Sequence, residues 1–169
     1  TCPVAERRLE LLFAKAGAAP FRGRVARMLD DSERQMRAGI SRIKPGDYWY
    51  ENYLDSNGLE NQPLPIRLKL SVGADAIEAD FEGTAAQVLG PTNGGIAVAP
   101  TGAFVILKSF LTPGTAVNEG AFRPIRLKTP SGSILNAKHP AACGGFSEIR
   151  RAVEAAVLGC LSQAMPDLV

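Results

Sequence analysis

Between Asp80 and Cys143 turn signals recur so closely that only one long regular element fits among them. They are Gly90-Pro91-Thr92-Asn93-Gly94-Gly95, then Asn118-Glu119-Gly120-Ala121-Phe122-Arg123-Pro124, then Pro130-Ser131-Gly132-Ser133-Ile134-Leu135-Asn136. Glycine admits positive φ and close backbone approach, and asparagine brings paired donors and acceptors. The one long apolar run among these signals, Ile96 to Leu111, has the length of a buried helix rather than a strand. Pro100 is tolerated in its first turn, and Pro113-Gly114 closes it.

Upstream, the periodicity is helical and then alternating. Leu9, Leu12, Phe13 and Ala16 share one face of a helix over Val4 to Ala16, with Gly17 as its stop. A second helix is expected from about Arg24 to Ile43, with Val25, Met28, Leu29, Met36 and Ile40 as its apolar stripe. Its other face carries Arg27, Asp30, Asp31, Glu33, Arg34 and Arg37, opposite charges at helical spacing that read as a solvated surface. Lys44-Pro45-Gly46-Asp47 ends it. Tyr48 to Tyr53, Ile66 to Val72 and Ala76 to Phe81 then read as strands of an antiparallel meander, and Pro124 to Thr129 as a further strand. A last helix spans Ser147 to Ala164, with Ser147 at the N-cap. The fold class is α+β: antiparallel strands with packed helices, divided as an N-terminal helical segment (1–45) and an α+β segment (46–169).

Bulk properties exclude several classes. Nineteen Lys and Arg against 17 Asp and Glu leave a net charge of +2, too little for a nucleic-acid footprint. No run approaches the ~18 apolar residues of a membrane span, and no apolar leader follows the N-terminus. Three widely spaced cysteines, Cys2, Cys143 and Cys160, favour reduced thiols in a cytoplasmic protein. The chain opens on Thr1-Cys2-Pro3 without Met, so a piece of something longer, or a processed subunit, is expected.

Taken in order, these strings resemble the hydantoinase B/oxoprolinase family, which includes the large subunits of acetone and acetophenone carboxylases. The resemblance rests on Glu33 and Arg37 before Pro45-Gly46-Asp47-Tyr48, on Asp80 to Thr84, and on Gly90 to Asn93. It continues through Asn118 to Pro124, Pro130 to Asn136 and Pro140 to Ala142. Each string alone is weak, and the ordered set is specific. Where many relatives carry Asn-x-Glu-Thr after a glycine pair, this chain has Phe146-Ser147-Glu148-Ile149, and only the glutamate survives.

The resemblance implies part of a subunit of an ATP-dependent cyclic-amide hydrolase, acting on hydantoins, 5-oxoproline or other lactams, or of a ketone carboxylase. It implies a hydantoinase A-like companion that binds ATP and activates the substrate oxygen, together with remaining parts of a hydantoinase B-like subunit. ATP and a divalent metal belong to the complete complex. The family's metal-ligating histidines and acids lie in a portion with no counterpart here, so no metal is placed on this chain. The chain alone is expected to show no turnover, and a non-catalytic assembly module is the alternative.

The candidate substrate-binding residues are Asn93, Gly94, Gly95, Asn118, Glu119 and Arg123. Backbone N–H groups of Asn93-Gly94-Gly95 could cradle an anion or carbonyl, or the loop could be a packing turn. Arg123 offers a fork for a carboxylate and Asn118 an amide, or both could tie down their own loop, with Arg123 paired to Glu119. Asp80 and Glu82 flank Phe81 and are expected on opposite faces, not as an acid/base pair. Glu148, Arg150 and Arg151 either serve an anion or partner or form a surface group. Cys143 reads as a buried, inert thiol rather than a reactive one near a helix N-terminus, His139 cannot alone make a metal site, and Thr1 is not read as an N-terminal nucleophile. No catalytic residue is named.

Overall fold

The computed structural model describes residues 2–167. Two helices come first, α1 (Cys2–Ala16) and α2 (Ala18–Ile40), hinged at Gly17, whose φ of 76° suits glycine. α2 begins well before Arg24 because Pro20 falls in its first turn, where the missing N–H costs nothing. It ends at Ile40, but Ile43 in the following turn stays buried with Met36 and Ile40. The segment 1–45 therefore contributes to the same core as the sheet, through the end of α2. α1 contributes no buried side chain and meets α2 through the edge-on contact of Phe13 and Phe21.

Strands β1 (Gly46–Leu54), β2 (Leu64–Val72), β3 (Ile77–Asp80) and β4 (Ile125–Lys128) form one sheet in that order. β1, β2 and β3 are the expected antiparallel meander, with Tyr50 opposite Leu68 and Val72 opposite Ile77. β4 joins β3 in parallel, Ile77 opposite Ile125. The sheet is thus mixed, which period-two alternation cannot reveal because it fixes faces and not direction. Direction follows from the connection. The chain crosses over through α3 (Val98–Leu111) and the short α4 (Glu119–Phe122) before re-entering the sheet.

One face of the sheet is dry. Leu64, Ile66, Leu68, Leu70 and Val72 alternate inward along β2, joined by Ile77 and Ala79 of β3. The opposite face is laced with ion pairs, Lys69 to Asp47 at 3.0 Å, Lys128 to Glu78 at 2.6 Å, and Arg67 to Glu51. α5 (Phe146–Ala164) covers the dry face with Ile149, Val153, Ala156, Val157, Cys160 and Leu161. Each such large aliphatic contributes about 1.5–3 kcal/mol of burial, an upper figure given a compact unfolded chain. α3 packs behind α5 at Gly102, where an added Cβ would stand 2.9 Å from the Arg150 carbonyl oxygen. Lys108, 6% exposed, closes the C-terminal end of α3 by donating to Thr115 O and Oγ1, both at 2.9 Å. No helix among the described residues is long and apolar enough to cross a membrane.

Candidate functional site

Three loops converge at one end of the α5–β1 layer and enclose a cleft of about 650 Å³. Its borders are the end of β1 with Asp55 to Gly58, the Pro91-Thr92 loop, and Gly144-Gly145 with Glu148 and Arg151 at the start of α5. Glycines allow the loops to touch. A Cβ on Gly90 would lie 2.0 Å from the Asn57 carbonyl oxygen, and one on Gly58 2.6 Å from the Pro91 ring. A Cβ on Gly145 would meet Thr92 Cα at 3.1 Å. Gly144 N–H donates to Pro91 O at 2.7 Å, and Gly145 N–H to Asn93 O at 3.3 Å. The walls are therefore fixed without side chains filling the space between them.

Asn93 is the anchor of that junction. Fully buried, it accepts the Val88 N–H at 2.8 Å and donates to Val88 O, Gly90 O and Ala142 O, each at 2.9 Å. Its side chain thus faces its own chain and positions the cleft loops. Two of the three N–H groups of the proposed cradle are also occupied, Asn93 on Pro91 O at 2.8 Å and Gly94 on Ile134 O at 2.7 Å. Gly94 is tightly packed, its would-be Cβ 2.8 Å from Val98, whereas Gly95 faces open space.

Asn118, Glu119 and Arg123 lie elsewhere, on the turn that docks α4 against α2. Gly120 brings the backbones together so closely that a Cβ would sit 2.0 Å from the Leu29 carbonyl oxygen. Asn118 Nδ2 donates to Ser32 Oγ at 2.8 Å, and its buried Oδ1 has no partner among the described residues. Arg123 donates to Asp30 at 2.9 Å and Glu33 at 3.1 Å, so its partners are on α2 and Glu119 is not one of them. Glu33 also binds Arg37, which reaches Asp75 at 3.1 Å. Hydrogen bonds first from Arg37 and then from Arg123 hold the Glu33 carboxyl below the usual carboxylate range. The charged face that reads as plain solvated surface is thus an ordered bridge from α2 to α4 and to the β2–β3 turn.

Other expectations need adjustment. Asp80 and Glu82 do not take opposite faces: Glu82 falls in the turn after β3 ends at Asp80, and both border one hollow on the outer face of the sheet. Asp80 accepts the Glu82 N–H at 3.0 Å and lies 3.9 Å from Lys128. Gly145, not Ser147, is the N-cap of α5, because the chain enters the helix already docked on Thr92 and Asn93. Cys143 is exposed rather than buried, because it lies in the loop before α5 and not on the helix face that packs on the sheet; His139 is exposed too, and desolvation by burial pushes the Cys160 thiol up to about 12. Thr1 lies outside the described residues. Among the described residues no three His, Cys, Asp or Glu side chains converge to hold a metal ion.

The polar groups of the cleft separate cleanly. Asn52 is tied up by Ala152 O and the Tyr53 N–H, and Ser56 by Glu60 O and the Gly58 N–H. Asp55, Thr92, Glu148 and Arg151 border the cleft with no side-chain hydrogen bond or ion pair among the described residues. In the sequence Asp55 reads only as part of a turn, and Arg151 stands between surface and anion roles. Nothing in local spacing links residues so far apart in the chain.

Fold and cleft together define an α+β module: a one-faced mixed sheet under two layered helices, with a glycine-rimmed cleft at one end. The family is settled by comparison: the chain belongs to the hydantoinase B/oxoprolinase family, whose model matches residues 1–169. It is 26% identical over 98% of its length to a putative D-/L-hydantoinase subunit of Pseudomonas sp. (strain NS671), and spans 30% of that protein. It is 32% identical to 5-oxoprolinase 1 of Arabidopsis thaliana over 56% of the chain, 7% of that relative. Among solved structures, the ATP-dependent caprolactamase of Pseudomonas jessenii superposes with a TM-score of 0.81 at 25% identity over 99% of the chain. An acetone carboxylase shares the fold, with a TM-score of 0.83 at 16% identity over 96% of the chain. The chain spans 29% of the caprolactamase chain and 23% of the carboxylase chain, less than a third of each.

Proposed function

We propose that the chain forms part of a hydantoinase B/oxoprolinase-type subunit of an ATP-dependent enzyme that opens cyclic amides or carboxylates ketones. The observation that carries this reading is the match to the caprolactamase at TM-score 0.81 and 25% identity over nearly the whole chain. The ketone alternative rests on a likeness of fold alone. On this reading the cleft forms part of the substrate enclosure, with the Asn93-Gly94-Gly95 loop as its support. The turn of Asn118, Glu119 and Arg123 fastens α4 to α2, apart from the cleft. ATP and a divalent metal would be held by other parts of the assembly, and a hydantoinase A-like ATP-binding subunit or domain is the proposed partner. Three free thiols, two of them exposed, suit a reducing compartment such as the cytoplasm.

Reconstitution tests the assignment. The assembled enzyme containing this segment should open a hydantoin, 5-oxoproline or another lactam in the presence of ATP, and the 169-residue chain alone should not. Turnover by the purified chain with ATP would overturn the division of labour. Unchanged activity on replacing the cleft residues Thr92 and Arg151 in the assembled enzyme would remove the cleft from the enclosure.

A second reading, a non-catalytic assembly module, is favoured by one observation. α1 presents Val4 (59% exposed), Leu11 (63%) and Leu12 (47%) with no covering element among the described residues. Contiguous exposed apolar surface of this kind marks interaction sites. Native mass spectrometry of the complex from the producing cell separates the readings by identifying what this segment binds.

A further inference from the structure

We infer that the cleft between Asp55, Thr92 and the start of α5 is a binding site for a small zwitterion, a free amino acid, held by both of its charged ends. Its identity as a ring-opened product rests on the amide-opening function proposed above; the two-charge recognition rests on the cleft alone.

The cleft has the size of a small-ligand site, within the roughly 300–1,000 Å³ usual for them. Its walls are fixed by the close approaches of Gly58, Gly90 and Gly145 and by the four hydrogen bonds of Asn93. A preorganised hollow loses little order on binding. The side chains without internal partners are of both signs. Arg151 supplies a planar guanidinium fork suited to a carboxylate. Glu148, three residues earlier and so on the same face of α5, and Asp55 across the cleft supply carboxylates suited to an ammonium. Thr92 adds a hydroxyl that can donate or accept. A simple anion would meet two carboxylates, and a simple cation would meet Arg151. A ligand carrying one charge of each sign leaves none of them facing its like.

Opening a simple lactam generates such a molecule, whereas a hydantoin gives an N-carbamoyl acid with no ammonium end and 5-oxoproline already carries a carboxylate. Water adds across the amide bond: the C–N bond breaks, the water oxygen bonds to the carbonyl carbon, and the nitrogen takes up both protons of the water. The neutral ring becomes a chain with a carboxylate at one end and an ammonium at the other. The uncharged ring presents neither charge, so the cleft discriminates product from substrate and serves as a holding or exit site.

The test is a titration of the full 169-residue chain with 5-aminopentanoate and 6-aminohexanoate, followed by calorimetry and amide NMR. Parallel titrations use the N-acetyl derivative, the methyl ester and the parent lactam of each. Saturable shifts are expected at Thr92, Gly144, Gly145, Glu148 and Arg151. Blocking either end should weaken binding about tenfold, and the lactam should bind most weakly. R151Q should lose the preference for the free carboxylate while keeping that for the free amine, and E148Q should do the reverse. Both side chains are exposed, so an unchanged amide spectrum away from the cleft verifies the fold of each variant. Equal binding of blocked and unblocked ligands, shifts confined to other surfaces, or no saturable shift would each overturn the proposal. Binding is measured without ATP or turnover. Its failure in an assembled enzyme that opens lactams sinks this inference alone, and its success beside an inactive assembly sinks only the functional reading.

Discussion

Asn93 and Asn118 stand in similar glycine-bearing turns, and the sequence nominates both as ligand-binding amides; the structure uses them in different ways. Asn93 is wholly buried and makes four hydrogen bonds that tie three backbone segments together. Asn118 makes one side-chain bond, to Ser32, and leaves its buried oxygen without a partner among the described residues. The first turn is held by an amide and assisted by glycine. The second is held by glycine and by the ion pairs of Arg123, with the amide secondary. A polar residue in a loop motif is thus weak evidence for ligand contact until its own backbone demands are counted.

The sharpest way to break this comparison is to remove what the two turns share. Gly90→Ala and Gly120→Ala each drive a methyl to 2.0 Å from a backbone oxygen. Because neither oxygen belongs to a flexible side chain, each change should destabilise the chain by about 3 kcal/mol or more. Denaturant unfolding measures the loss directly. Labelling gives an independent reading: Cys2 and Cys143 are exposed and should react in the native chain, while Cys160 should react only through unfolding, and faster in either variant. Equal Cys160 protection in wild type and variants would mean that the loops yield without strain.

The asparagines themselves should separate next. Asn93→Ala strands the Val88 N–H and three carbonyls, and should cost about 2–4 kcal/mol. Asn118→Ala removes one bond and also an unpartnered oxygen, and should cost about 1 kcal/mol or less. Comparable losses at the two positions would erase the distinction.

The smallest effect concerns the bridge behind the second turn. Glu33 has a lowered carboxyl pKa in the folded chain, so its contribution is present above the unfolded value and is lost as pH falls through the folded one. Arg37→Gln should move the Glu33 titration, followed by carboxyl NMR, back toward the ordinary range and narrow that acid window. Arg123→Gln should move it less. A larger shift from Arg123→Gln would reverse the order of the two partners.

Much of this fold is legible because burial is periodic. The alternation from Ile66 to Val72 and the apolar run through Leu111 mark a half-buried strand and a buried helix. What is not legible is non-local or very short. The four residues of α4 are too few to show a period. The parallel pairing of Ile77 with Ile125 depends on the path between them. The cleft escapes for the same reason: Asp55, Thr92 and Arg151 are neighbours only because glycines let their loops touch. The resemblance reached the family where local physics reached only the fold class. It could not say that Asn93 faces inward.

The parallel β3–β4 pair also sets an order of events in time. β2 and β3 are joined by the short turn at Gly73–Ala76 and can find each other soon after collapse. β4 has no such option: α3 and α4 must first return the chain to the far side of β3. Long-range closure of this kind is slow. The meander should therefore be assembled while the sheet still lacks its last strand. Amides of β4 should gain hydrogen-exchange protection after those of β2, and until then β3 is a bare edge open to other chains.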